Sequence, residues 1–238
     1  MRQCNERTKD MTHKKTILEQ IQEQGDIEIF GKTQQQRTRG MRRQHIIREE
    51  WDELFEPEML LLRWEYPLYF NKYNHRMNDS TYWRILRTIW SHSENLHENP
   101  RLWKRFWNSK RDGKQGAMTG HENWLLKQLI ENENPIVIYR GYQQIVPFYQ
   151  TDNARMSWTL NKDLAKWFAT RFFNATGIIM TTGSLGVPRV LTGYCSGKDI
   201  HAYINSREED EIIIDSDKVE IISNEIQKLP KEKINNEM

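Results

Sequence analysis

The chain changes character once, at Pro135, and that change restricts the folds open to it more than any other feature. Upstream, from Trp51 to about Asn134, apolar residues recur at helix spacing. Trp83, Leu86 and Trp90 share one face of the segment that opens at Asp79-Ser80, with a capping residue at its start, and Trp103, Phe106 and Trp107 form a second stripe. Trp124, Leu125 and Leu129 predict a further helix over His121 to Glu131. Downstream the grammar is that of strands. Pro135-Ile136-Val137-Ile138-Tyr139 is a short β-branched run closed by Arg140-Gly141. Further strands are expected at Ser157-Trp158-Thr159, Gly177 to Thr182, Arg189 to Tyr194, Glu211 to Asp215 and Val219 to Ser223. The last two are expected to pair across Ser216-Asp217-Lys218. Helices first and strands afterwards predict an α+β fold, a helical N-terminal part packed on a C-terminal sheet.

The segmentation that follows is a polar, partly ordered extension over 1–48, a helical region over 49–134, a strand-rich core over 135–223 and a flexible tail over 224–238. Both ends are dominated by Gln, Lys, Arg, Glu and Asn, too polar to bury much surface. No Gly, Pro or Ser linker separates the helical region from the core, so the two can equally pack as one unit.

Composition narrows the chemistry. A net charge of +2 lacks the basic excess of a dedicated nucleic-acid binder, so any basic surface must be local. One such patch is Arg101, Lys104, Arg105, Lys110, Arg111 and Lys114, interleaved with aromatics that could stack on bases, although helix periodicity assigns the tryptophans to the core. Arg37, Arg39, Arg42 and Arg43 are a weaker second patch, equally readable as a solvated helix face. Two cysteines far apart, Cys4 and Cys195, argue for a reducing compartment. The seven histidines show no HExxH spacing, so no metal site is expected. No apolar run approaches the length of about 20 residues that spans a bilayer, and the expectation is a cytoplasmic protein without membrane contact.

Four acids, Glu208, Glu209, Asp210 and Glu211, crowd against the apolar run Ile212-Ile213-Ile214. On an extended chain Glu209 and Glu211 would face one side, about 6 to 7 Å apart, close enough to share work at one centre. Alone, the stretch reads as a solvated loop entering a strand; Glu208 and Asp210 are expected to be charges in water.

In chain order the C-terminal half presents an arginine at the end of a strand (Arg140), a Ser-x-Thr on a second extended stretch (Ser157-Trp158-Thr159) followed by an aromatic helix, and an acid-x-acid at the mouth of a third strand (Glu209-x-Glu211). This order, over roughly Ile136 to Ile222, resembles the R-S-E class of NAD-dependent mono-ADP-ribosyltransferases. The strand, turn and short helix expected over Gly193 to Tyr203 resemble a connector found there in the family. The usual Ser-Thr-Ser is here Ser-Trp-Thr, with the indole expected on the face opposite Ser157.

The resemblance implies a split β-sheet core, NAD as co-substrate and transfer of ADP-ribose to a macromolecular acceptor. It casts Glu211 as the carboxylate that binds the ribose and stabilises the oxocarbenium-like transition state, and Glu209 as the group that orients or deprotonates the acceptor. Arg140 would hold the NAD diphosphate, and Gly141 would admit the nicotinamide amide to the main chain. Ser157 would hold the ribose and position Glu211, Thr159 would brace the strand, and Phe168 or Phe172 would pack on the nicotinamide ring or simply fill the helix core. Glu-x-Glu points first to protein arginine as acceptor, with RNA or DNA second. The implied setting is a toxin or effector, with an antitoxin or inhibitor protein as a further partner. The alternatives are a nucleic-acid-binding module without catalysis and an inactive binding protein on the same fold.

Overall fold

A computed structural model of the chain describes residues 34–56, 61–93, 99–132, 135–144, 156–174 and 187–227, with 34–36, 132, 144 and 172–174 described in backbone only. The chain divides into two compact units, Met1–Glu50 and Trp51–Met238. In the first, helix α1 (Gln34–Arg48) carries Arg37, Arg39, Arg42 and Arg43 and buries none of its described side chains. The expected strand at 177–182, Cys4, His13 and His97 lie outside the described residues.

The second unit begins with helices α2 (Trp51–Phe55), α3 (Tyr66–Tyr73), α4 (Asp79–His92), α5 (Pro100–Trp107) and α6 (Gly120–Asn132). Asn78, one residue earlier than expected, caps α4 by accepting the Thr81 amide at 2.9 Å. The periodic aromatics of α4 and α5 then converge. Trp83, Trp90, Trp103, Phe106 and Trp107 are all buried. Trp90 meets Trp103 and Trp107 edge-on, with ring centroids 5.2 and 5.6 Å apart. In α6 the apolar stripe is narrower than expected. Leu125 and Leu129 pack toward the sheet, while Trp124 is 55% exposed and stacks on His121.

Six antiparallel strands form one sheet in the order β4-β5-β2-β1-β3-β6. They are β1 (Ile136–Gln144), β2 (Ser157–Thr159), β3 (Val187–Cys195), β4 (Ile200–Ile204), β5 (Glu211–Ile214) and β6 (Glu220–Ile226). β1 and β3 register along their whole length, from Ile136 opposite Cys195 to Gln144 opposite Val187. The two three-stranded halves meet between β2 and β1 at one registered pair, Tyr139 opposite Thr159. One face of the sheet carries Ile136, Ile138, Tyr142, Trp158, Tyr203, Ile212 and Ile214 against α6. Against the other, α7 (Lys162–Asn174) packs through Ala165 and Ala169 onto Val190, and Asn161 caps it by accepting the amides of Asp163 and Leu164.

Several expectations change. β1 does not end at Arg140; continuous pairing with β3 carries it to Gln144 and leaves the arginine mid-strand. β5 and β6 are not a hairpin, because both edges of β5 are taken by β2 and β4, and β6 adds to β3 instead. The short helix expected before the acidic stretch is a single turn, Gly197–Asp199, followed by β4. The chain stays in β6 to Ile226, past the expected start of the tail at residue 224. Among the described side chains of α7 the buried ones are Ala165, Ala169 and Thr170, while Phe168, read as nicotinamide contact or helix core, is half-buried.

Candidate functional site

β5 starts abruptly because the chain before it cannot stay extended. Glu208 and Asp210 both have positive φ, 58° and 45°, a left-handed backbone that breaks the alternation expected of a strand. The turn is held by side chains. Asn205 accepts the Asp210 amide at 3.1 Å, Thr159 Oγ donates to the Glu209 carbonyl at 2.7 Å and Tyr203 Oη donates to Asp210 at 2.5 Å. Asp210 is therefore a structural acceptor and not a charge in water, whereas Glu208 is exposed as expected. Burial, together with the Asp210 hydrogen bond and charge, pushes the Tyr203 phenol well above its ordinary value.

β2 and β5 pair with Thr159 opposite Glu211 and Ser157 opposite Ile213. Ser157, Thr159 and Glu211 thus share a sheet face with Tyr139, and Trp158 and Ile212 take the other. Glu211 is 5% exposed. Its Oε1 accepts from Ser157 Oγ at 2.5 Å and from the Trp90 indole N–H at 3.2 Å. Burial raises its pKa above the ordinary carboxylate value, against the hydrogen bonds from Ser157 and Trp90 and the nearby Arg207 charge, which favour ionisation. Glu209, ahead of the strand, is ion-paired with Arg207 at 2.9 Å.

Arg140 is not with them. Strand alternation puts it on the Trp158 face, its guanidinium carbon 6.0 Å from the indole centroid, and it is buried. Gly141 does admit a close backbone approach, and the backbone that approaches is α7. A Cβ there would lie 1.8 Å from the Ala165 carbonyl oxygen and 2.7 Å from the Ala169 nitrogen. Phe168 packs edge-on to Trp167 and lies under the Arg171 guanidinium at 4.9 Å; the Phe172 side chain is outside the described set.

Four of the six residues in the basic patch are tied within the molecule. Lys104 pairs with Asp217 at 2.8 Å and Asp215 at 3.5 Å, and Arg105 bonds Asn71. Arg111 pairs with Asp79 at 2.8 Å, donates to the Met77 and Asn74 carbonyls and covers the Tyr82 ring. Lys114 lies over Trp83 and 3.3 Å from His201, and burial lowers its pKa. Arg101 and Lys110 are exposed.

The sequence reading missed a cationic cavity of about 370 Å³ beside the acidic turn, lined by Arg63, Arg87, Ser91, His92, Ser206 and Arg207. Arg87 and Ser91, four apart in α4, sit off the Trp83, Leu86, Trp90 stripe, and that spacing is legible in the sequence. Arg63 carries no such signal. Also missed was the capping box Thr119-Gly120-His121-Glu122. The Thr119 side chain accepts the Glu122 amide and Glu122 accepts the Thr119 amide.

Cys195 is buried, and burial, reinforced by Asp199, pushes its thiol up to about 11. Among the described residues no helix is long and apolar enough to cross a membrane, and no group of three or more His, Cys, Asp or Glu side chains is placed to hold a metal ion. No model of a known family, no curated protein and no solved structure matches the chain.

Proposed function

We propose that the chain is a mono-ADP-ribosyltransferase that cleaves the nicotinamide–ribose bond of NAD and transfers ADP-ribose to a macromolecular acceptor, protein arginine first and nucleic acid second. The observation that carries this reading is the Ser157 to Glu211 hydrogen bond at the β2/β5 junction. Ser157 and Thr159 of the Ser-x-Thr meet Glu211, the second acid of the Glu-x-Glu, on one sheet face, the bonded side chains 54 residues apart in the chain. The parting of the sheet at a single registered pair supports a split core.

In the proposed reaction the C–N bond to nicotinamide breaks, the ring leaves with the bonding pair, and positive charge develops on the ribose. Glu211 offers a negative charge whose field is strong because its surroundings exclude water. Its raised pKa comes from burial; a cationic nicotinamide ring beside it favours the ionised form. The acceptor nitrogen then bonds to the anomeric carbon and passes its proton to Glu209, which the Arg207 pair holds at the rim.

A second reading, an inactive binding protein on the same fold, is favoured by two placements. Trp90 covers Glu211, and Arg140 faces Trp158 on the opposite side of the sheet. Labelled NAD incubated with cell extract, followed by protease or nuclease treatment, separates the readings. The transferase reading expects label on protein or nucleic acid and its loss in Glu211→Gln with an unchanged circular dichroism spectrum. Full activity in that variant would remove Glu211 from the chemistry, and absence of both turnover and NAD binding heat would leave the inactive protein.

A further inference from the structure

Between α5, β4 and the end of β5 lies a second polar cluster that the proposed reaction does not use. Lys114 opens the single turn Lys114–Ala117, and its Nζ lies 3.3 Å from His201 Nδ1. On the far side of the ring, His201 Nε2 lies 3.3 Å from Asp215 Oδ1. Asp215 is held in its turn. The Asn108 side-chain amide donates to both of its oxygens, at 3.1 and 3.0 Å, and Lys104 stands 3.5 Å away. A carboxylate only accepts, so Nε2 carries the ring proton and Nδ1 points its lone pair at Lys114.

A lysine serving only as a structural charge would meet a carboxylate, as Lys104 meets Asp215 and Asp217. Among the described residues Lys114 meets none. Its neighbours are the imidazole and the face of Trp83, with Nζ 5.6 Å from the ring centroid. Burial holds the amine below the ordinary lysine value, against the pull of the Asp215 charge. Burial first, and then the Lys114 charge, lowers the His201 value too, which keeps the ring neutral and able to accept a proton. The Trp83 face works the other way by favouring the ammonium, and labelling across pH weighs the two. The turn lies at the surface: Lys114 is half-buried, and Gly113, Gln115 and Gly116 beside it are exposed. A weak nucleophile within hydrogen-bond reach of a base, the base oriented by a third group, is the general arrangement that activates such a group.

We propose that Lys114 is a nucleophilic lysine that takes an acyl group from an activated donor such as an acyl phosphate, with His201 as its base and Asp215 positioning the ring. In that step the neutral amine attacks the acyl carbon and the C–N bond forms. The bond to the leaving phosphate oxygen breaks, its electron pair going to the phosphate. Nζ gives one proton to His201 Nδ1, Asp215 stabilises the imidazolium, and the proton then passes to the departing phosphate. The product is a neutral amide at Lys114. The site does not depend on the transferase reading.

Treating the full chain with acetyl phosphate across pH, and following each lysine-bearing peptide by mass spectrometry, tests this. Lys110, exposed on the same stretch of chain, is the internal control. At neutral pH Lys114 is expected to acetylate about tenfold or more faster than Lys110, and its rate to level off at a lower pH. His201→Gln should remove about tenfold or more of the Lys114 rate and move its pH profile toward that of Lys110, whose own rate stays unchanged. Asp215→Asn should slow Lys114 in the same direction. A Lys114 rate no higher than that of Lys110 in the wild-type chain, or a Lys114 rate and pH profile unchanged in both variants, overturns the proposal. The wild-type comparison needs no variant, so it decides the matter even if a substitution abolishes the circular dichroism spectrum of the fold.

Discussion

Glu211 is a carboxyl group in the wrong dielectric, and its energetics follow from that. Two donors, Ser157 and Trp90, share one of its oxygens, but burial outweighs them and the pKa is raised. The native state therefore holds this proton at pH values where the unfolded chain has released it. Between the ordinary value of 4.5 and the higher native value, native protein binds more protons than unfolded protein, so this group's contribution to stability falls as pH rises. Glutamine keeps an oxygen that can accept from Ser157 and Trp90 and cannot ionise. Glu211→Gln is thus expected to gain stability relative to wild type as pH is raised from about 4.5, even as any transferase activity disappears. Urea unfolding of both proteins across pH measures the gap; a gap that stays constant would show that burial does not disfavour the ionised glutamate, and one that narrows that the fold stabilises it. A gain in stability together with a loss of activity marks a functional residue held at a cost to the fold.

At the scale of elements, the seating of α7 on β1 depends on the missing side chain of Gly141. Backbone atoms of Ala165 and Ala169 occupy the space a Cβ would need, and backbone cannot rotate away as a side chain can. Gly141→Ala should lower stability by about 3 kcal/mol or more, at the upper end of overpacking penalties, read as a drop in the urea midpoint with little change in slope. An unaltered midpoint would mean the helix is not seated there. Elements of this kind were partly legible in the sequence. The tryptophans of α4 and α5 and the run Ile136 to Ile138 announce themselves because local periodicity and burial agree. The extent of β1 was not legible, because its continuation through Arg140 is decided by a partner strand about 50 residues away. Nor was the broken alternation before Glu211, which depends on Asn205, Thr159 and Tyr203 reaching in from elsewhere to hold Asp210 and its neighbours. The pairing of Ser157 with Glu211 survives both errors, since it needs only β2 beside β5.

Within the unit from Trp51 onward, one buried carboxylate ties the helical layer to the edge of the sheet. Glu122 accepts from Arg87 of α4, from the Thr119 amide at the start of α6 and from the Asn205 amide just after β4. Burial alone would raise its pKa, but the hydrogen bonds from Arg87, Asn205 and Thr119 outweigh it and hold the carboxyl down at about 2. The sign is opposite to that at Glu211. A depressed native value contributes stability that is complete above the ordinary 4.5 and disappears as pH falls toward about 2. The difference between those two values corresponds to something on the order of 3 kcal/mol. Glu122→Gln, which leaves the half-buried Arg87 without its counter-charge, should therefore be destabilised by about that amount at neutral pH. The penalty should shrink through the acid window, because protonated glutamate and glutamine present the same neutral acceptor to Arg87. Equilibrium unfolding at a series of pH values below neutrality checks it, and a penalty that persists unchanged to the acid end would deny Glu122 its ionised role.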